Sequence, residues 1–208
     1  MNRLKLLLFI FLGILLFSFK QDQPPNKKIA ILFVGNSLTY TNNLPQLVKK
    51  QGNAYGVHIS TDILAKPNYA LIDHWNDGLI QKKISSGKYD FVIVQQGPSS
   101  QEDGRTLLLE SGKKISILCR ENGSKLCFYM VWPSLQHYQT FNGVINNYRE
   151  AALDNNALLC PVGEVWKAHF DKTQNFDYYG PDGFHPSEKG SQVAAKIIVD
   201  SLFKYLYK

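Results

Sequence analysis

The chain has 208 residues, 44% hydrophobic and 19% charged, which is ordinary for a single globular domain with a full core. Its formal charge is +6, but Arg3, Lys5 and Lys20 lie in an N-terminal leader. Without them 20 basic residues face 17 acidic ones, a balance too even to suggest nucleic acid as a partner, and the Lys-Lys pairs at 27–28, 49–50, 82–83 and 113–114 are scattered like solvated faces.

Residues 1–20 read as a signal peptide or an N-terminal anchor. Arg3 and Lys5 supply the positive start, and residues 6–19 form an apolar run of 14 broken only by the small Gly13 and Ser18. That run is shorter than the roughly 20 residues of a membrane-spanning helix. No small-x-small cleavage site follows it, and no Cys follows that could carry a lipid. The expectation is export to the periplasm or the exterior, with membrane contact only through the leader if it stays uncleaved. Residues 21–28 are polar, contain Pro24-Pro25 and read as a linker. One folded domain is expected over 29–208.

Within that domain, residues 29–34 form a continuous apolar run closed by Gly35, as in a strand buried on both faces. Residues 44–55 carry helical spacing at Leu44, Leu47, Val48 and Tyr55. A second strand is expected at 57–64 and a short helix at 77–86, ended by Gly87. A third strand at 90–94 closes on Gln95-Gln96-Gly97-Pro98. A long helix at 102–122 ends at Gly123. Strands at 126–131 and 158–162 flank a helix at 141–155, and Ser187 caps a last helix reaching 205. Strands alternate with helices throughout, without repeats. The expected fold is α/β: a three-layer α/β/α sandwich on a mostly parallel, five-stranded sheet. Such sheets bind ligands outside the carboxyl ends of their strands. Ser37, Gly97 and Trp132-Pro133 all fall just after strands.

Cys119, Cys127 and Cys160 have no CxxC or metal-ligand spacing and read as buried thiols. His58, His137 and His169 also lack partners at metal spacing, so neither a metal nor a cofactor is expected.

Chemistry concentrates at two places. Ser37 follows the first strand in Gly35-Asn36-Ser37-Leu38. Asp182 and His185 stand three apart in a Gly- and Pro-rich loop, Tyr179-Gly180-Pro181-Asp182-Gly183-Phe184-His185-Pro186. A serine hydroxyl becomes a nucleophile when a base takes its proton and a third group orients that base. In a loop, a spacing of three lets the carboxylate reach one imidazole nitrogen while the other faces outward. Each element alone has a plain structural reading, as a helix cap or a turn; together, at the two ends of an α/β pattern, they compose a Ser–His–Asp set.

On these residues the chain resembles the SGNH (GDSL-type) hydrolase superfamily from about residue 29 to 207. Gly35-Asn36-Ser37-Leu38 resembles its first sequence block, with Asn36 where the family more often has Asp, and Asp182-Gly183-Phe184-His185 matches the DxxH of its last. The string DGFHPSEKGSQVAA, with Pro161 to Trp166 before it, resembles a secreted bacterial esterase-like branch. The resemblance implies a flavodoxin-like sandwich with Ser37 as nucleophile, His185 as base and Asp182 as its orienting acid. It places the second block at residues 66–71, with Asn68 where a Gly donates its backbone N–H to the oxyanion hole. Asn is the non-glycine residue that best tolerates a left-handed turn. The third block, normally GxND, reads Gly97-Pro98-Ser99-Ser100, with Ser99 in place of the Asn donor and Gln96 or Gln101 as alternatives. The implied oxyanion hole is therefore Ser37, Asn68 and Ser99. Gly97, His74 and Trp132 are expected to line the substrate cleft. The reaction expected is hydrolysis of a small acyl ester, acetyl on carbohydrate foremost. A lysophospholipase, a thioesterase or a catalytically weak glycan-binding protein are the alternatives.

Overall fold

A computed structural model describes residues 28–207 of the chain. The leader and residues 21–27 of the expected linker lie outside the described residues; Lys28, the last residue assigned to that linker, opens the first strand.

Among the described residues, five strands form one sheet: β1 (Lys28–Gly35), β2 (His58–Ala65), β3 (Phe91–Val94), β4 (Lys125–Tyr129) and β5 (Leu158–Cys160). Their order is β2-β1-β3-β4-β5 and every neighbouring pair is parallel. The apolar run of β1 places it at the centre: Ile31, Leu32, Phe33 and Val34 are fully buried. In register, Val34 pairs Leu64 on one side and Val94 on the other.

Among the described residues, eight α-helices connect and cover the sheet. They are α1 (Ser37–Tyr40), α2 (Leu44–Ala54), α3 (Leu71–Asn76), α4 (Leu79–Ile84), α5 (Glu102–Glu121), α6 (Phe141–Asp154), α7 (Val162–Thr173) and α8 (Glu188–Leu206). α2 packs on α8, whereas α5 packs on α3 and α6, which gives the two helical layers. The chain leaves β1 toward β2 and then returns past β1 to β3. The strand order thus reverses between β1 and β3, and a crevice opens there at the carboxyl ends. Ser37 and Gly97 sit at that switch point.

The structure departs from expectation at three elements. Ser37 opens a single helical turn, capped by Asn36, whose Oδ1 accepts the Leu38 N–H at 3.1 Å. α3 was not expected, because its polar Asp73 and His74 hide a six-residue helix. The fifth strand ends at Cys160, and residue 162 begins α7 instead. The four-residue spacing of Val162, Trp166 and Phe170, all fully buried, is the helical signal for that segment. Cys119, Cys127 and Cys160 are buried free thiols, and burial pushes the Cys119 and Cys160 thiols up to about 12.

Candidate active site

The turn that carries Ser37 is built by polar groups at the carboxyl end of β3. Gln95 is fully buried where the apolar strand stops. Its Oε1 accepts the Asn36 N–H at 3.1 Å and the Thr39 hydroxyl at 2.7 Å. Its Nε2 donates to Asn36 Oδ1 at 3.0 Å and to the Gln96 carbonyl at 2.6 Å. Gly35 is expected to allow a sharp turn; the structure assigns it another reason. A Cβ there would collide with the Gln95 amide oxygen and the Thr39 hydroxyl, so only glycine lets Gln95 close on the turn.

From the other end of the chain, the loop before α8 carries Asp182 and His185. Asp182 Oδ1 accepts the Phe184 and His185 N–H groups, each at 2.9 Å. Its Oδ2 meets His185 Nδ1 at 2.5 Å. The His185 bond, with the Phe184 N–H next, holds the Asp182 carboxyl below the usual carboxylate range. His185 Nε2 lies 2.8 Å from Ser37 Oγ. The structure thus brings together Ser37, His185 and Asp182, across 148 positions between the first two.

Two side chains fasten the loop that carries His185. Asn42, held in the left-handed region at φ 53°, donates to the Pro186 carbonyl at 2.9 Å. Trp132 Nε1 donates to the Phe184 carbonyl at 2.9 Å.

A cavity of about 380 Å³ opens over Ser37, lined also by Asn68, Gly97, Ser99, Leu107 and Phe184 among others. Asn68 has φ 59°, the left-handed turn its side chain tolerates. The backbone N–H groups of Ser37 and Asn68 make no hydrogen bond among the described residues. A side chain added at Gly97 would meet nothing within 4 Å, so that backbone faces the open cleft.

Ser99 is at the cavity wall, with φ 57°. Its hydroxyl donates to the Gly97 carbonyl at 2.9 Å and accepts from Gln96 Nε2 at 2.8 Å. The second Gln96 N–H goes to the Gly104 carbonyl at 3.0 Å, and Gln96 Oε1 accepts the Leu71 N–H at 3.3 Å. Both third-block candidates therefore spend their donors inside the protein. Gln96 ties the loop after β3 to α3 and α5, and Asn147 Nδ2 holds the Ser99 carbonyl at 2.7 Å. Gln101, the remaining alternative, is exposed.

Two expected cleft residues are not in the cleft. His74 is fully buried on the inner side of α3, where its Nε2 meets the Gly35 carbonyl at 2.7 Å. Burial lowers its pKa, and its Nδ1 has no partner. It packs beneath β1 because α3 turns its apolar face, with Leu71, to the sheet. Trp132 is also fully buried, stacked on Trp166 with ring centroids 3.6 Å apart. It shapes the site through Phe184 and does not face a ligand. Gln95 escaped notice in the sequence, although a pair of amides ending a wholly apolar strand is the available signal. Among the described residues, no group of three or more His, Cys, Asp or Glu side chains could hold a metal ion.

No family model matches the chain, and no curated protein does. Solved structures do. A protein described as an SGNH hydrolase from Slackia heliotrinireducens has TM-score 0.72 at 24% identity, over 85% of this chain and 100% of its own. A DUF4886 family protein from Bacteroides uniformis has TM-score 0.71 at 16% identity, over 86% and 84%. An acetyl-xylooligosaccharide esterase from Geobacillus Stearmophilus has TM-score 0.61 at 13% identity, over 84% and 94%. At these identities the likeness is one of fold, and the fold is that of SGNH hydrolases.

Proposed function

We propose that this chain is a serine esterase that removes small acyl groups, acetyl foremost, from carbohydrate esters. The observation that carries the reading is the chain of contacts from Ser37 Oγ to His185 Nε2 at 2.8 Å and from His185 Nδ1 to Asp182 at 2.5 Å. With Nδ1 protonated and donating to Asp182, Nε2 is left to accept the Ser37 proton. Ser37 Oγ then bonds the ester carbonyl carbon, and the oxyanion that forms accepts the Ser37 and Asn68 N–H groups. The bond to the alcohol oxygen breaks as that oxygen takes the proton from His185 Nε2. Water, deprotonated at Nε2, attacks the acyl-enzyme, and the proton returns to Ser37 Oγ as the acid leaves. Asp182 keeps the tautomer and stabilises the imidazolium.

The small cavity over Ser37 supports a short acyl group. The leader supports export, with the domain periplasmic, extracellular or held at a membrane by residues 4–19. A second reading, a catalytically weak glycan-binding protein, is favoured by the commitment of the Ser99 hydroxyl to Gly97, which removes the donor expected of the third block.

Turnover of 4-nitrophenyl acetate, with covalent labelling of Ser37 by a serine-reactive phosphonate, tests the reading. Turnover and labelling lost in Ser37→Ala support it. A folded protein with neither activity nor labelling leaves the binding reading.

A further inference from the structure

We propose that a second cavity beside the nucleophile is the subsite for the alcohol half of the ester, and that it takes a neutral, hydroxylated ring and rejects an anionic one. The inference rests on the esterase reading and adds which half of the substrate lies where.

The second cavity measures about 600 Å³. It shares Pro98, Ser99, Gly104 and Phe184 with the cavity over Ser37, so the two are lobes of one cleft. The smaller lobe runs from the loop after β3 toward Asn68, Tyr69 and Ala70, after β2. The larger one runs the other way, to Pro133, Ser134 and His137, after β4.

The chemistry distinguishes the lobes. The leaving oxygen must take its proton from His185 Nε2, so the alcohol half must lie on the side of the loop bearing His185. The wall of the larger lobe is fastened to that loop. The Leu135 N–H donates to the Gly183 carbonyl at 2.7 Å, and the Tyr179 hydroxyl to the Pro133 carbonyl at 2.7 Å. The smaller lobe, ending at the β2 side with the Asn68 N–H, is left for the carbonyl and its acyl group.

The lining of the larger lobe holds no Asp, Glu, Lys or Arg. Pro133 and Phe184 offer apolar faces for the C–H face of a ring. Ser100, Ser134 and Thr140 offer hydroxyls, and His137 an imidazole, to hydrogen-bond a ligand's hydroxyls. Ser134 Oγ meets His137 Nδ1 at 2.9 Å, which leaves His137 Nε2 for a ligand hydroxyl. A carboxylate or phosphate in this lobe would lose water without gaining a Lys or Arg partner.

The test compares two monoacetates on one ring, of methyl glucoside and of methyl glucuronide, with 4-nitrophenyl acetate as reference. Wild type is expected to favour the glucoside ester by about ten-fold or more in kcat/KM. Thr140→Arg, or His137→Lys should the first not fold, is expected to narrow or reverse that preference. His137→Ala is expected to lower the ratio of glucoside ester to 4-nitrophenyl acetate by about ten-fold, through KM. Equal rates on both ring esters, or an unmoved preference in folded Thr140→Arg and His137→Lys, overturn the subsite while 4-nitrophenyl acetate is still cleaved. Failure of wild type on all three esters overturns the esterase reading itself, and the subsite with it.

Discussion

Gln95 pairs with Asn36 through two hydrogen bonds at once, accepting the Asn36 N–H at 3.1 Å and donating to Asn36 Oδ1 at 3.0 Å. The same Asn36 Oδ1 caps the turn that begins with Ser37, and Asn36 Nδ2 donates to the Tyr69 carbonyl at 3.1 Å. One buried amide therefore sets the position of the Ser37 turn, and through Asn36 its distance from the loop carrying Asn68.

Gln95→Ala should strand the Asn36 N–H and the Thr39 hydroxyl in the core. Each orphaned buried group costs about 1–3 kcal/mol, so a loss of a few kcal/mol is expected in chemical denaturation. In the surviving folded protein kcat should drop with KM little changed, because the turn is no longer held against His185. Wild-type stability and kcat in this variant would contradict the role given to Gln95.

Ser37→Ala and His185→Ala should each abolish ester turnover to a similar extent, and the double variant should be little worse than either, because the groups act as a unit. Steady-state rates of the three variants check this. Additive losses would mean that the two side chains do not share one step.

At Ser99 the backbone conformation and the donor make opposite demands on alanine and asparagine. Ser99→Ala removes the hydroxyl that Gln96 and Gly97 share and leaves a Cβ residue at φ 57° without a polar side chain. Because the hydroxyl's proton already goes to Gly97, its loss acts through the loop it holds, and misplacement of that cleft wall should lower kcat by roughly 10-fold or more. Ser99→Asn suits the left-handed region and brings a longer donor, so activity should be kept or raised. Equal activity of all three forms would show that backbone donors alone serve the oxyanion.

Stability should depend on pH through His74. Burial lowers its pKa in the folded chain, so between the folded and unfolded values the unfolded chain holds more protons. Stability contributed in this way is present above the unfolded value, about 6.5, and is lost as pH falls below it, by up to about 1.4 kcal/mol per pH unit. His74→Gln keeps a donor for the Gly35 carbonyl and carries no titrating group. Denaturation midpoints at pH 7.5 and 5.5 should therefore fall less in His74→Gln than in wild type. An equal fall would place the acid sensitivity elsewhere.

Much of this architecture was legible in the chain itself. The apolar run of β1, the glycine stops and the alternation of strands with helices suffice for a parallel sheet covered on both faces, because buried strands and amphipathic helices differ in period. The pair Asp182 and His185 could also be read, since a spacing of three in a Gly-Pro loop brings the two side chains into reach locally. Ser37 could be suspected from its place after β1.

Only the tertiary structure decided what lies across the chain from what. The 2.8 Å contact of Ser37 with His185 depends on where α8 docks, and no local spacing encodes that. His74 comes just after the second block and Trp132 just after a strand, as cleft residues would, yet both turn inward, because helix phase and aromatic stacking on Trp166 are set by packing. Gln95 looks like a loop residue in sequence. Burial makes its four hydrogen bonds obligatory, and that is what makes it the support of the Ser37 turn.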